Sequence, residues 1–588
     1  MGVGVLVTTR PSSAQWVYRN LSQPQGMMHH MVLRSAGGDT AALRKARGAF
    51  FTPAPVARYV TEWAVRSTTE RILEPSCGEA SFLLAAVDRL TELRGTADDG
   101  QPAALDGIEM HDASARAART LLRQAGVAAK VTVGDFFCVE PTASYDVVIG
   151  NPPYIRYQDF AGLARARSRE AALRAGVGLT NLASSWAAFA VHSALFLRPG
   201  GRMGLVLPAE LLSVNYAAEV RRFLLQSFAH VDLVLFTERV FPDAQEDVLL
   251  LLADGYGQGP TDHASIYQAR NAAELATIAA GRTWTPPSPG DKWTPSLLSA
   301  DALDAYTNLL SGGGFTVLET WGDTTLGMVT GNNKYFALSP ARVADLGLES
   351  TDILRLSPPG SRHLRGLAFG TAALNELGRN GSATWLFRPA GEPSPAGWAY
   401  IAAGEAAGVN TAYKCRVRKP WWRVPPLAPA DLLLTYMNAN ADTPRLSTNA
   451  ARAAHLNSVH GVYLAPKVRK LGKALLPLAS LTSMTLVGAE TVGRAYGGGM
   501  LKIEPREADR LPVPSEAVVQ AASERLTNMR PKVAGLLRSG KLIEASKIVD
   551  DVLLVGELGM SRPDVRVLRD AHAELTARRV ARGRRGTD

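Results

Sequence analysis

Cysteine is nearly missing from this chain of 588 residues: only Cys77, Cys138 and Cys415 occur, far apart in the sequence. Such sparse thiols do not imply a disulfide framework, and the absence of any C-x-x-C spacing argues against a cysteine-built metal site. A reducing, cytoplasmic setting with no bound metal is the expectation. Long apolar runs are also lacking. None approaches the roughly 20 residues of a membrane-spanning helix. The opening MGVGVLVTTRPSS has no basic segment followed by an apolar one, so a signal peptide is not expected. No internal repeat is present, which excludes a solenoid.

Neither sign of charge is scarce. Lysine and arginine total 64 against 54 acids, for a net charge of +10. A basic balance suits a polyanionic partner without requiring one. With 46% hydrophobic and 20% charged residues, the composition is that of a globular protein long enough for two or three domains.

Residues 1–40, rich in Ser, Gln, Gly and Met, read as a flexible leader, with Met27, Met28 and Met31 as alternative starts. From about residue 55, short apolar runs alternate with helix-length segments. A helix is expected over 56–65, entered through Thr52-Pro53. RILEPSCGEASFLLAAVDRL reads as strand, turn, helix. ALDGIEM, AKVTVGDFF and YDVVIGNPPY supply three more strands, with a helix over 113–124 and a long apolar one over 182–197. RMGLVLPAEL, VDLVLFTERVF and EDVLLLLAD close the series. This alternation predicts a mainly parallel, doubly wound α/β sheet, whose ligands sit at the carboxyl ends of its strands. Residues 41–260 are assigned to this unit, and 261–310, rich in Gly, Pro, Thr and Trp, to a linker. Residues 311–588 are assigned to a mixed α+β domain, helical from about 515 and ending in a loose basic tail, ARRVARGRR.

The chemistry sits in the turns. DVVIG runs straight into Asn151-Pro152-Pro153-Tyr154. An exocyclic amine on an aromatic ring is a poor nucleophile because its lone pair is delocalised. Acceptors aimed at both of its hydrogens draw it toward tetrahedral geometry. The Asn151 side-chain oxygen and the Pro152 carbonyl can supply them, and the prolines fix the backbone direction. Tyr154 offers a ring face for stacking. Glu74-Pro75-Ser76-Cys77-Gly78 follows the first strand. It lacks G-x-G-x-x-G, which favours a cofactor without phosphates over a dinucleotide. Glu74 can receive a cationic amino group. Glu109 ends the second strand, where an acid can bind ribose hydroxyls. Asp135 and Phe136 follow the third, placed for an adenine amine and ring.

In order along the chain these segments resemble the gamma-class N6-adenine DNA methyltransferases of TaqI type. The resemblance covers about residues 45–255 and includes Gly48 with FFTPAPVARYV, LEPSCG, GIEM, GDFF, NPPY, NLASSWAAF and GGRMGLVLPAELL. It implies a Rossmann-like class I methyltransferase fold and transfer from S-adenosylmethionine to adenine N6. Thr52, Glu74, Pro75, Ser76, Glu109, Asp135 and Phe136 would hold the cofactor. Asn151, Pro152, Pro153 and Tyr154 would form the catalytic face. Phe241 would stack on the flipped base opposite Tyr154, because a stacked base cannot reach the methyl donor.

The second half resembles target-recognition domains more loosely, through GMVTGNNKYFAL, YKCRVRKPWWRVP, HLNSVHGVY and YGGGMLKIEPREADRLPVP. Lys334, Arg416, Arg418, Lys419 and Arg423 are the candidate DNA contacts. The implied partner is duplex DNA, met by a monomer. No nuclease module of D…(D/E)-x-K type is evident, so a cognate restriction endonuclease would be encoded separately. Two alternatives stand beside this reading. One is an enzyme of the same fold acting on RNA or protein glutamine. The other is a non-catalytic DNA-specificity protein.

Overall fold

A computed structural model describes residues 52–94, 103–238, 240–241, 248–286, 288–439, 442–496 and 499–583. The expected leader, its alternative starts and Gly48 lie outside the described residues.

The first half is built on one nine-stranded sheet in the order β3-β2-β1-β4-β5-β7-β6-β8-β9. The strands are β1 (Arg71–Glu74), β2 (Ala104–Glu109), β3 (Lys130–Val133), β4 (Tyr145–Gly150), β5 (Leu197–Pro208), β6 (Phe228–Phe236), β7 (Val248–Tyr256), β8 (Ala264–Ala269) and β9 (Arg282–Trp284). β1 pairs in parallel with both β2 and β4, and β4 in parallel with β5. β7 is antiparallel to both of its neighbours, β5 and β6. Strand order therefore turns back between β1 and β4, and in open α/β sheets the crevice at such a point receives ligands.

The central strands carry the apolar runs that a sheet covered on both faces demands. Val147, Val148 and Ile149 of β4 are fully buried. β4 stops where Pro152 and Pro153 remove two consecutive backbone donors. Helix α1 (Ala54–Ala64) presents Val56, Ala57, Val60, Thr61 and Ala64 to the sheet. Its approach to β5 is close: a Cβ on Gly204 would lie 2.6 Å from Val60 Cγ1. That contact needs a glycine, and it brings the residues before α1 over the end of β4. Helices α2 (Ser81–Arg94) and α3 (Asp112–Gln124) follow β1 and β2. Helix α4 (Gly162–Leu173) was not anticipated. Helix α5 (Ser185–Ala194) is shorter than expected and buried along its whole length, as a helix apolar on every side must be.

The segment 261–310, expected as a linker, instead adds β8 and β9 to the sheet and then forms a helix at Ala300–Ser311. It also ties the halves together. Lys292 Nζ donates to Glu507 Oε1 at 2.8 Å and to the Val492 carbonyl at 2.6 Å. Burial pushes the Lys292 ammonium down to about 8 despite that partner.

The second half is mixed α and β, as expected. An antiparallel sheet joins Gly322–Leu326, Val459–Leu464, Leu432–Thr435 and Leu446–Thr448 in that spatial order. A smaller sheet of Ala337–Leu338, Trp385–Phe387 and Ile353–Arg355 has its own core around Phe336, Phe387 and Trp422. Helices dominate from residue 516 onward. The basic end is not loose as far as it is described: Arg562–Gly583 is one helix, and Arg579 is buried against Glu490 at 2.7 Å. A lone arginine cannot leave water at low cost, and the Glu490 carboxylate explains its place inside. Arg584 and Arg585 lie outside the described residues. No single helix among the described residues is long and apolar enough to cross a membrane.

Candidate functional site

The turns after β1, β2, β3 and β4 lie side by side at the carboxyl edge of the sheet. After β1, Pro75 is buried and Ser76 half-buried. The loop is seated directly on β2: Cys77 N donates to the Ile108 carbonyl at 3.0 Å. A Cβ on Gly107 would come within 3.0 Å of Cys77 Sγ, so β2 needs a glycine there. The Glu74 carboxylate is buried and accepts from Leu83 N, at the start of α2, at 3.1 Å. No cation pairs with it among the described residues. Burial pushes its carboxyl well above the usual carboxylate range, and the Glu109 charge adds to that.

Glu109 joins two of the turns. Its Oε2 accepts from Gly78 N and its Oε1 from His111 N, both at 2.8 Å. Each oxygen keeps a lone pair for a further donor. Asp135 caps the short turn after β3, accepting from Phe137 N at 3.0 Å, with Arg167 Nη1 at 3.4 Å from its other oxygen. The Phe136 ring does not follow the expectation of an open face for a heterocycle. It is buried among Phe189, His192 and Phe196, with ring centroids 5.4, 4.6 and 5.1 Å away. Burial holds His192 down at about 4, so this cluster is uncharged at neutral pH. The Phe136 carbonyl is also turned to that cluster, 3.2 Å from His192 Nε2, and accepts from Val139 N at 3.1 Å.

At the end of β4 the Asn151 amide is held from both sides. Its Nδ2 donates to Thr52 Oγ1 at 3.2 Å, and its Oδ1 accepts from the Tyr154 hydroxyl at 2.7 Å. The Tyr154 hydroxyl also lies 2.9 Å from the Val206 carbonyl on β5, so its single proton serves either acceptor. Pro152 is buried and Pro153 half-buried. Ser185, at the start of α5, clamps this turn: its Oγ donates to the Pro153 carbonyl and accepts from Ile155 N at 2.8 Å. Among the described residues nothing donates to the Pro152 carbonyl. Ser185 was missed as a functional residue, although serine pairs before an apolar run are a legible helix-start signal.

Phe241 is buried at 4% exposure in the same apolar cluster as Tyr154, itself at 7%. Neither ring shows an open face in this conformation. Residues 239 and 242–247 on either side of Phe241 lie outside the described set.

The basic candidates divide. Lys334, Arg416, Lys419 and Arg423 are exposed. Arg418 is not a free phosphate contact: its guanidinium is half-buried and donates to the Thr330 and Val329 carbonyls. It braces the turn before Lys334, because desolvating it is tolerable only with those acceptors.

Residues 37–276 match the family described as N-6 DNA Methylase, and residues 290–554 the C-terminal domain family of the type II methyltransferase M.Eco57I. The type II methyltransferase M.XamI of Xanthomonas campestris pv. amaranthicola is 27% identical over 493 residues, covering 80% of this chain and 85% of that protein. M.AccI of Acinetobacter calcoaceticus is 22% identical over 485 residues, covering 79% and 85%. Among solved structures, the type IIL restriction-modification enzyme MmeI in complex with DNA shares the fold. It covers 89% of this chain and 74% of its own, with a TM-score of 0.50 at 11% identity.

Proposed function

We propose, for a chain that belongs to the N6-adenine DNA methyltransferases of type II restriction–modification systems, that Asn151 and Pro152 grip the amino group of a flipped adenine while it takes a methyl group. The observation that carries this reading is the Asn151 amide, fixed by Thr52 on one end and by Tyr154 on the other. An amide oxygen can accept two hydrogen bonds, and Tyr154 supplies one. The amine supplies the second, and its other hydrogen goes to the Pro152 carbonyl. Both acceptors are oriented before the base arrives, so little reorganisation is needed as positive charge grows on nitrogen. The amine sheds its proton after transfer, so no strong base is required.

S-adenosylmethionine supplies an electrophilic methyl on a sulfonium. The residues of the crevice fit it. Glu74 is a buried carboxylate with no cation among the described residues, suited to the ammonium of the methionine end, with Thr52, Pro75 and Ser76 lining the same site. Glu109 has an acceptor site left on each oxygen for ribose hydroxyls. Asp135 is placed for the adenine amine, with the backbone of Phe136 next to it. Tyr154 and Phe241 would enclose the flipped base, which requires the Phe241 ring to move from its buried position and the Tyr154 ring to pivot about its hydroxyl, which stays on Asn151.

The catalytic unit runs to about residue 286, through β9, and the rest forms the DNA-recognition part. Lys334, Arg416, Lys419 and Arg423 would meet phosphates or base edges. We place the chain in the gamma class, acting as a monomer on duplex DNA in the cytoplasm beside a separately encoded endonuclease. The test is methyl transfer from labelled S-adenosylmethionine to duplex DNA, RNA and a release factor in parallel. Labelled N6-methyladenine in DNA alone is the expected result. Label in RNA or protein would replace this reading, and none in any substrate would end it.

A further inference from the structure

Two of the most exposed apolar side chains in the second half stand together. Tyr413 is 65% exposed and Val417 59%. They lie four residues apart on one turn, at the two ends of the short helix Tyr413–Arg416, and Val417 N donates to the Tyr413 carbonyl at 3.3 Å. That spacing puts both side chains on the same outward face. Cations surround them. Lys414 Nζ and the Arg416 guanidinium lie 5.6 and 6.0 Å from the Tyr413 ring. Lys334, Lys419 and Arg423 are exposed nearby in sequence or across the turn. None of these cations is paired with a carboxylate among the described residues.

The ridge is rigidly mounted. Cys415 is fully buried between the two exposed residues, and its Sγ donates to the Thr330 carbonyl at 3.5 Å. Arg418 grips the same carbonyl from the other side. Gly331 takes a positive φ of +89° with Lys414 packed over it: a Cβ there would stand 3.0 Å from Lys414 Cβ. The GNNKY turn and the Tyr413 turn therefore form one braced unit. A rigid aromatic and a branched aliphatic tip, ringed by cations that pair with no carboxylate among the described residues, complement a surface that is anionic at its rim and carries apolar methyl groups within. The major groove of duplex DNA has that character: phosphates at the rim, base edges and thymine methyls on the floor.

We propose that Tyr413 and Val417 contact bases directly, as specificity-determining residues, while Lys414 and Arg416 hold the flanking phosphates. This rests on the methyltransferase reading for its substrate but is tested separately from it. The full chain and its variants are titrated with a pool of short randomised duplexes over a range of salt concentrations. The methylated products are then sequenced.

Tyr413→Ala is expected to weaken binding by about fivefold or more, the scale of one lost base contact, while leaving the salt dependence of binding unchanged. Its methylated sites should show a relaxed sequence profile. Arg416→Ala should also weaken binding, but with the slope of log K against log salt reduced by about one, the mark of a lost phosphate contact. Unchanged S-adenosylmethionine affinity in both variants reports an intact fold. Wild-type affinity and an unaltered profile in Tyr413→Ala and Val417→Ala would overturn the proposal. So would a flattened salt slope in Tyr413→Ala, which would make the ring a mere support for its neighbouring cations. Should the wild-type protein methylate no duplex at all, the enzymatic reading fails, and the binding titrations still decide the role of Tyr413.

Discussion

Asn151 Nδ2 donates to Thr52 Oγ1 at 3.2 Å, joining residues 99 positions apart in the chain. The contact exists because α1 docks on β5 at Gly204 and delivers its leading residues to the end of β4. It fixes which way the amide faces, and hence which atom meets the reacting amine.

Asn151→Ala removes one of the two acceptors for that amine. Methyl transfer should fall by about a hundredfold or more, the scale of a lost preorganised dipole. S-adenosylmethionine affinity, measured by calorimetry, should stay near wild type. A variant that methylates at the wild-type rate would refute the catalytic assignment.

Thr52→Val keeps the shape of the side chain and deletes the acceptor for Asn151 Nδ2. Losing one hydrogen bond of this kind predicts a fall in kcat of about three- to tenfold. KM for DNA should hold, and Thr52→Ser should restore the rate. Equal kcat values in Thr52→Val and wild type would show that the contact does not orient the amide.

Glu74 makes cofactor binding depend on pH. Its carboxyl titrates above the usual carboxylate range because it is buried. A cationic ammonium favours the carboxylate form, so acidification through that raised pKa protonates Glu74 and must weaken S-adenosylmethionine binding. Affinity in wild type should therefore drop as the pH is lowered through that raised pKa. In Glu74→Gln it should be weaker and flat with pH. A flat wild-type profile would exclude Glu74 as the ammonium partner.

Phe241 packs at 4% exposure, so its truncation to alanine also opens a cavity. Phe241→Leu is the milder companion. With 2-aminopurine at the target position, both variants should show a smaller fluorescence rise on binding than wild type, at similar DNA affinity. An undiminished rise in both would remove Phe241 from the base-holding pair.

Arg579→Ala strands the Glu490 carboxylate inside the protein. Breaking a buried pair from one side costs about 3–5 kcal/mol, so the urea unfolding midpoint should fall clearly. Arg579→Lys should recover part of it. A midpoint unchanged in Arg579→Ala would mean that Glu490 finds another partner.

The site was legible where strands are buried on both faces. Runs such as DVVIG can be little else, and Glu74, Glu109, Asp135 and Asn151 stand at or just past their ends in sequence order. β8 and β9 escaped notice because ASIYQA and RTW are short, mixed in polarity and set among Gly, Pro and Trp, which read as connection. Side-chain direction escaped for a different reason. Nothing local separates Arg416, which faces solvent, from Arg418, which turns inward to carbonyls 88 and 89 residues away. The direction of the Phe136 ring is likewise not local information, because its neighbours in the buried cluster come from α5 and the residues just beyond it.

Glu109 holds the turn after β1 through Gly78 and its own following turn through His111. A residue with two such duties narrows the paths open to mutation. Any lineage drifting away from this acid must first find another support for the neighbouring turn. Until it does, a change in which molecule is captured here cannot be separated from a change in the shape of the mouth that captures it.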